Sequence, residues 1–145
     1  MVIVDANVLL YAVNEDTIHH RAARTWLDDA LAANSGVGFA WLVLVAFMRV
    51  STNTRIMPTP LSVDEAIEQV EAWLACPAAV VVDPTPRHLR VWADVMRGTH
   101  GGGDLVNDAH LAALALENRA TVVSFDRDFQ RFDGVRLLVP PPVSD

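Results

Sequence analysis

Short apolar runs of strand length alternate with longer stretches of helical periodicity from one end of the chain to the other. Val2–Val4, Ala79–Val82, Thr121–Ser124 and Val135–Val139 read as strands, being compact and rich in Val. Between them, apolar residues recur at three- and four-residue spacing. Thr17 caps a helix that carries Ala23, Trp26, Leu27, Ala30 and Leu31, and Asn34, Ser35 and Gly36 end it. Phe39 to about Thr52 is apolar nearly all round up to Arg49, which predicts a buried helix or one that needs a partner. Met57–Pro60 is a connection. Ser62 and Glu65 form a capping box for a helix striped by Ala66, Val70, Trp73 and Leu74. Thr85 and Pro86 are the cap and first turn of another, with Leu89, Trp92, Ala93 and Met96 on one face. Gly101–Gly103 is a hinge or tight turn before a helix from Asp104 to Asn118. Such alternation predicts an α/β fold whose mainly parallel sheet is covered on both faces. With no repeat, linker or low-complexity block, 145 residues suit one domain, 1–145.

In open parallel sheets the functional crevice lies beyond the carboxyl ends of the strands. Asp5 directly follows the first strand, and Asp126 follows Thr121–Ser124 by two residues. Asp104 and Asp108 stand in the first turns of the helix feeding that strand, four residues apart on one face, where like charges repel. If the two strands are neighbours, all four carboxylates converge at one sheet edge. Crowded carboxylates either rise in pKa or take up a cation. An oxygen-only set without a His or Cys cluster favours Mg²⁺ or Mn²⁺. Such an ion orients and activates water and stabilises charge on a phosphoryl oxygen.

The net charge of −7, with 11 basic residues that are all arginine, weighs against nucleic-acid binding by bulk electrostatics. Bound cations and a few well-placed arginines, suited to bidentate phosphate contacts, would do it locally. No apolar run approaches the ~18 residues of a membrane span, and MVIVDAN lacks the basic start of a signal peptide. A single cysteine, Cys76, allows no internal disulfide, so a cytoplasmic protein is expected. The hydrophobic share of 52% leaves room for a partner surface, for which Trp41 is the candidate.

Each candidate also has a structural reading. Asp5 and Asp126 suit turns, Asp104 suits an N-cap, and Asp128 suits a cap for a short turn at Phe129. Arg49 complements a helix C-terminus, or contacts a substrate phosphate or a site carboxylate, an ion pair inside the site being the favoured reading. Thr52 and Asn53 read as C-cap residues. His19 and His20 are expected in solvent, and His110, two residues from Asp108, points away from that carboxylate. Trp26, Trp73 and Trp92 fit core stripes.

The phrases VDANVLLYA, FMRVSTN, DLVNDAHLAALALE and VVSFDRDFQRF, in this order and spacing, resemble the PIN-domain ribonucleases. The resemblance is greatest to the VapC toxins of bacterial type II toxin–antitoxin pairs and runs from Val2 to about Leu138. It implies a PIN-like three-layer α/β/α fold and a Mg²⁺- or Mn²⁺-dependent endoribonuclease acting on RNA. It also implies inhibition by a cognate VapB-like antitoxin and a homodimer. By position, Asp5 matches the first metal-binding aspartate, Asp108 the third acidic residue, Asp126 the fourth, and Asn7 the polar residue beside the first. One position departs from the pattern: Ala46 stands where many members carry a Glu. No acidic residue lies between Asp29 and Asp64 to replace it, which leaves Asp104 or Asp128 to supply the charge. Two alternatives stand beside this reading. One is a binding module on the same fold with a degenerate, non-catalytic site. The other is aspartyl-phosphate chemistry of the haloacid-dehalogenase type, against which Asn7 argues, because that chemistry wants a second Asp there.

Overall fold

The computed structural model describes residues 1–99, 102–103 and 105–144. In chain order these form β1 (Val2–Val4), α1 (Ala6–Val13), α2 (His20–Ala32), β2 (Val37–Ala40), α3 (Trp41–Ser51), α4 (Val63–Ala75), β3 (Ala79–Val82), α5 (His88–Thr99), α6 (Leu105–Glu117), β4 (Thr121–Val123), a 3-10 turn (Arg127–Arg131) and β5 (Leu137–Leu138). The strands make one sheet in the order β3-β2-β1-β4-β5, and every pairing is parallel. Successive strand residues point to opposite faces, yet Ile3 and Val4, Val122 and Val123, and all four residues of β2 are buried. Both faces are therefore covered, giving the three-layer α/β/α arrangement. Helices α1 to α4 pack among themselves, and α5 packs against α6.

Local chemistry sets most of these elements. The capping box is complete: Ser62 Oγ accepts from Glu65 N–H at 3.0 Å and Glu65 Oε1 accepts from Ser62 N–H at 2.9 Å. Helix α6 buries Ala109, Ala112, Ala113 and Ala115 together with Leu111 and Leu114. Alanines let its axis come close to its neighbours, and this places its first turn over the strand ends. Gly103, just before it, has φ +58, a left-handed conformation that costs glycine no steric penalty. Among the described residues, no helix is long and apolar enough to cross a membrane.

Three expectations are corrected, and one helix is added. Residues 6–13, to which the sequence reading assigns no element, form α1. Apart from Asn7 the run is so nearly all apolar that no helical stripe stands out, and Val8, Leu9 and Ala12 are all buried. Phe39 and Ala40 belong to β2, and α3 starts at Trp41 with no intervening loop and no side-chain cap. Gly38 conceals this strand in the sequence. A Cβ there would lie 2.7 Å from Val82 Cγ2 and 3.0 Å from Ile3 Cγ1, so side chains of both neighbouring strands occupy its place. Helix α2 begins at His20, and Thr17 instead accepts from His19 N–H at 3.3 Å in the preceding turn. On α5 the buried residues are His88 and Val95, while Leu89 is 72% exposed.

Candidate functional site

Strands β1 and β4 are neighbours, with Val4 opposite Val123, so the chain segments leaving them emerge side by side. Asp5 N–H donates to Val123 O at 2.9 Å, and the chain then turns directly into α1. Asp5 is the N-cap of that helix, its Oδ1 accepting from Ala6 N–H at 2.8 Å. Its other oxygen, Oδ2, accepts from Ser124 Oγ at 2.7 Å and from Asn7 Nδ2 at 3.3 Å.

Ser124 is fully buried and ties the site together. Besides donating to Asp5, its hydroxyl accepts from Asn7 Nδ2 at 3.0 Å and from Asp126 N–H at 3.0 Å. One donor and two acceptors exhaust a hydroxyl. Asn7 Oδ1 accepts from Phe125 N–H at 3.1 Å, which settles which way its amide points. Asp126 caps the 3-10 turn through Oδ1, which accepts from Asp128 N–H at 2.9 Å. Asp5 and Asp126 thus take the cap and turn roles of their structural reading, and both also bond to Ser124.

Asp108 approaches from the first turn of α6, where the helix dipole favours a negative charge. It accepts no hydrogen bond among the described residues. Burial, then the charges of Asp5, Asp126 and Asp128, push its pKa up to about 6. Burial also raises the pKa of Asp5, against the hydrogen bonds from Ser124 and Ala6, and Asp126 adds to the rise. Asp5 and Asp108 share a cleft of about 320 Å³, also lined by Asn107, Arg49, Ala46 and Leu111 among others.

Oxygen donors only, mutually repelling, with lone pairs still open on Asp108, suit a hard divalent cation. Among the described residues, no three His, Cys, Asp or Glu side chains already stand at metal-binding spacing.

The other expected residues distribute as follows. Arg49 reaches the cleft wall from the exposed last turn of α3, but no ion pair joins it to Asp5 or Asp108 among the described residues. Among the described residues the expected pair inside the site is not formed, and Arg49 stays exposed at the helix end. Asp128 is 52% exposed and pairs with Arg131 at 3.5 Å. It lies within the 3-10 turn that Asp126 caps, and is not itself the cap. Asp104 lies outside the described residues. His20 Nδ1 meets Tyr11 O at 2.8 Å, and His19 packs against Tyr11 and Phe125, so neither is simply solvated.

His110 does turn away from Asp108. Its Nδ1 meets His88 Nε2 at 2.8 Å, and His88 Nδ1 meets Glu117 Oε2 at 2.5 Å. Burial and then His88 lower the pKa of His110, against Glu117. Sequence reasoning missed this network, whose members are far apart in the chain, and it missed Ser124. For Ser124 one signal existed: a lone hydroxyl directly after the apolar run Thr121–Val123 and just before Phe125-Asp126.

A family model described as PIN domain matches residues 2–135. Ribonuclease VapC37 of Mycobacterium tuberculosis is 54% identical over 141 residues, covering 97% of this chain and 98% of that protein. Ribonuclease VapC31 of the same species is 43% identical, covering 97% and 99%. VapBC2 from Rickettsia felis, solved bound to a DNA fragment from its promoter, superposes with a TM-score of 0.72 at 17% identity, covering 96% of this chain and 98% of the other. A family model spanning residues 2–135 and relatives matched along nearly the whole chain lead to one conclusion: this chain belongs to the PIN-domain family, among the VapC ribonucleases.

Proposed function

We propose that the chain is the toxin of a type II toxin–antitoxin pair, an endoribonuclease that hydrolyses RNA phosphodiester bonds with Mg²⁺ or Mn²⁺. What supports this is that Ser124 links Asp5 and Asp126 at the ends of β1 and β4, and that Asp108 is pushed up to about 6 by burial and then by the charges of Asp5, Asp126 and Asp128. Asp5, Asp108 and Asp126 would hold the cation, which when bound supplies activation of water and stabilises charge on a phosphoryl oxygen. Ser124 and Asn7 fix the rotamer of Asp5, so this ligand is oriented before anything binds. Arg49, solvated at the cleft wall, is free to turn toward a substrate phosphate. The relatives named ribonucleases support RNA as substrate.

The Rickettsia felis relative, solved as a VapBC pair, supports a VapB-like antitoxin as partner. An apolar groove of about 640 Å³ runs between α3 and α4, lined by Trp41, Leu44, Val45, Met48, Val63 and Ile67 among others. Trp41 is 56% exposed and Val45 59%, so this face suits the homodimer contact.

The test is cleavage of structured RNA by protein expressed with its antitoxin and then purified free of it. Cleavage is expected with Mg²⁺ or Mn²⁺ and not with EDTA, and Asp5→Ala is expected to abolish it. Equal cleavage in EDTA, or undiminished cleavage by Asp5→Ala, would sink the reading. One observation favours a second reading, a non-catalytic module: Ala46 lines the cleft and offers no carboxylate. Absence of Mn²⁺ binding by calorimetry, together with no growth arrest on expression, would select that module.

A further inference from the structure

Three rings from three separate segments meet beside the carboxylates. Tyr11 comes from α1, His19 from the turn before α2, and Phe125 from between Ser124 and Asp126. Ring centroids are 5.2 Å apart for Tyr11–His19, 5.2 Å for Tyr11–Phe125 and 4.7 Å for His19–Phe125. All three remain half-buried, unlike the fully buried Phe39, Phe47 and Phe129. The turn that carries His19 is a surface feature, since Ile18 beside it is 93% exposed.

The cluster is attached to the site. Phe125 N–H donates to Asn7 Oδ1 at 3.1 Å, and Tyr11 lies one helical turn beyond Asn7, on the same side of α1. His20 Nδ1 meets Tyr11 O at 2.8 Å and Thr17 Oγ1 accepts from His19 N–H at 3.3 Å, which fixes the turn against the helix. An acidic cleft on a chain of net charge −7 repels the backbone of an RNA. A stacking surface of rings adds affinity without adding negative charge, because every base presents a π-face.

We infer that Tyr11, His19 and Phe125 form a stacking platform for one unpaired base of the RNA next to the cleaved phosphodiester, with His19 as the ring that meets the base. This rests on the RNA-hydrolysis reading above.

The test uses full-length protein carrying Asp108→Asn to suppress cleavage, alone and combined with His19→Ala or His19→Phe. Each is titrated by fluorescence anisotropy with single-stranded RNAs of about twelve nucleotides, in which an abasic ribose replaces each base in turn. At one position, loss of the base is expected to weaken binding about ten-fold. His19→Ala should weaken the intact RNA by the same factor and leave that abasic RNA unchanged, and His19→Phe should restore the difference. A merely structural role for His19 would weaken intact and abasic RNA alike. That result, the lack of any base-sensitive position, or failure of His19→Phe to rescue overturns the platform. Cleavage by the unmodified protein in Mn²⁺ against EDTA is measured separately. Cleavage without coupling removes only the platform, whereas no cleavage of any RNA removes the underlying reading and the platform with it.

Discussion

Ser124 Oγ donates a 2.7 Å hydrogen bond to Asp5 Oδ2, so the residue leaving β4 sets the orientation of the carboxylate leaving β1. Ser124→Ala removes that donor and also the acceptor used by Asn7 Nδ2 and Asp126 N–H. Mn²⁺ affinity measured by calorimetry should fall about 10- to 100-fold. Chemical denaturation should show a loss of about 1–3 kcal/mol, since two donors lose their partner in a buried place. Unchanged Mn²⁺ affinity would mean that Asp5 does not need this support.

Asp108 should destabilise the metal-free protein. Its pKa is raised to about 6 in the fold from 3.8. The native state therefore binds its proton more tightly than the unfolded chain does. Its favourable contribution is complete below the unfolded value and is lost as pH rises through the folded one. Asp108→Asn should raise the melting temperature in EDTA by roughly 3 °C near neutral pH, corresponding to about 1 kcal/mol after allowing for solvent screening of a half-buried group. The gain should vanish at about pH 4, and divalent cation should stabilise the unmodified protein but not the variant. A variant equally stabilised at both pH values would show that the effect is not electrostatic.

Ala46 faces the same cleft as Asp5 and Asp108. Ala46→Glu places at this position the Glu that the family resemblance leads one to expect, and adds a carboxylate to the cleft. Mn²⁺ should bind about ten-fold more tightly by calorimetry, an effect on the scale of one well-placed charged contact. Without metal the added charge should lower the melting temperature, because a further carboxylate joins a repelling cluster. Weaker Mn²⁺ binding by the variant would place residue 46 outside the reach of the ion.

Glu117 anchors α6 from its far end. Its side chain has no exposed surface and accepts from Thr85 N–H at 3.1 Å, from the Thr85 hydroxyl and from His88. Burial by itself would raise the pKa of Glu117; the hydrogen bonds from His88 and Thr85 and the attraction of His88 outweigh it and hold the value below 4.5. The stability it contributes is present above its unfolded pKa and is lost as pH falls through the lowered folded value. Glu117→Ala should cost about 3 kcal/mol at neutral pH by urea denaturation, as expected when one partner of a buried network is removed. A loss under about 0.5 kcal/mol, the usual range for surface substitutions, would contradict this account.

The apolar groove between α3 and α4 should govern assembly. Val45→Glu puts a charge on a face where Trp41 and Val63 are 56% and 60% exposed. Light scattering should show dimer converted to monomer, with the melting temperature of the monomer nearly unchanged, because Val45 is not part of the core. A dimer that survives this change must use another face.

The features legible in the chain before any fold is known are local and periodic. The capping box at Ser62 and Glu65, the alanine-rich packing face of α6, the strand β1 followed at once by Asp5, and a parallel α/β arrangement all follow from nearest-neighbour chemistry and spacing. Helix α1 and strand β2 were illegible for the same reason. A uniformly apolar run carries no period, and Gly38 shows its purpose only against Val82 and Ile3 of the adjacent strands. For the candidate site, the aspartates could be named from the chain, but their meeting depended on β1 lying next to β4, which is a choice of strand order. The fold alone brings Ser124 to Asp5, Asn7 and Asp126, links His88, His110 and Glu117 in one hydrogen-bonded chain, and gathers Tyr11, His19 and Phe125 on a shared surface. Ser124 and Asp5 are 119 positions apart, and no local propensity relates residues at that distance. They are brought together because burying both faces of the sheet outweighs the entropy of ordering the intervening chain.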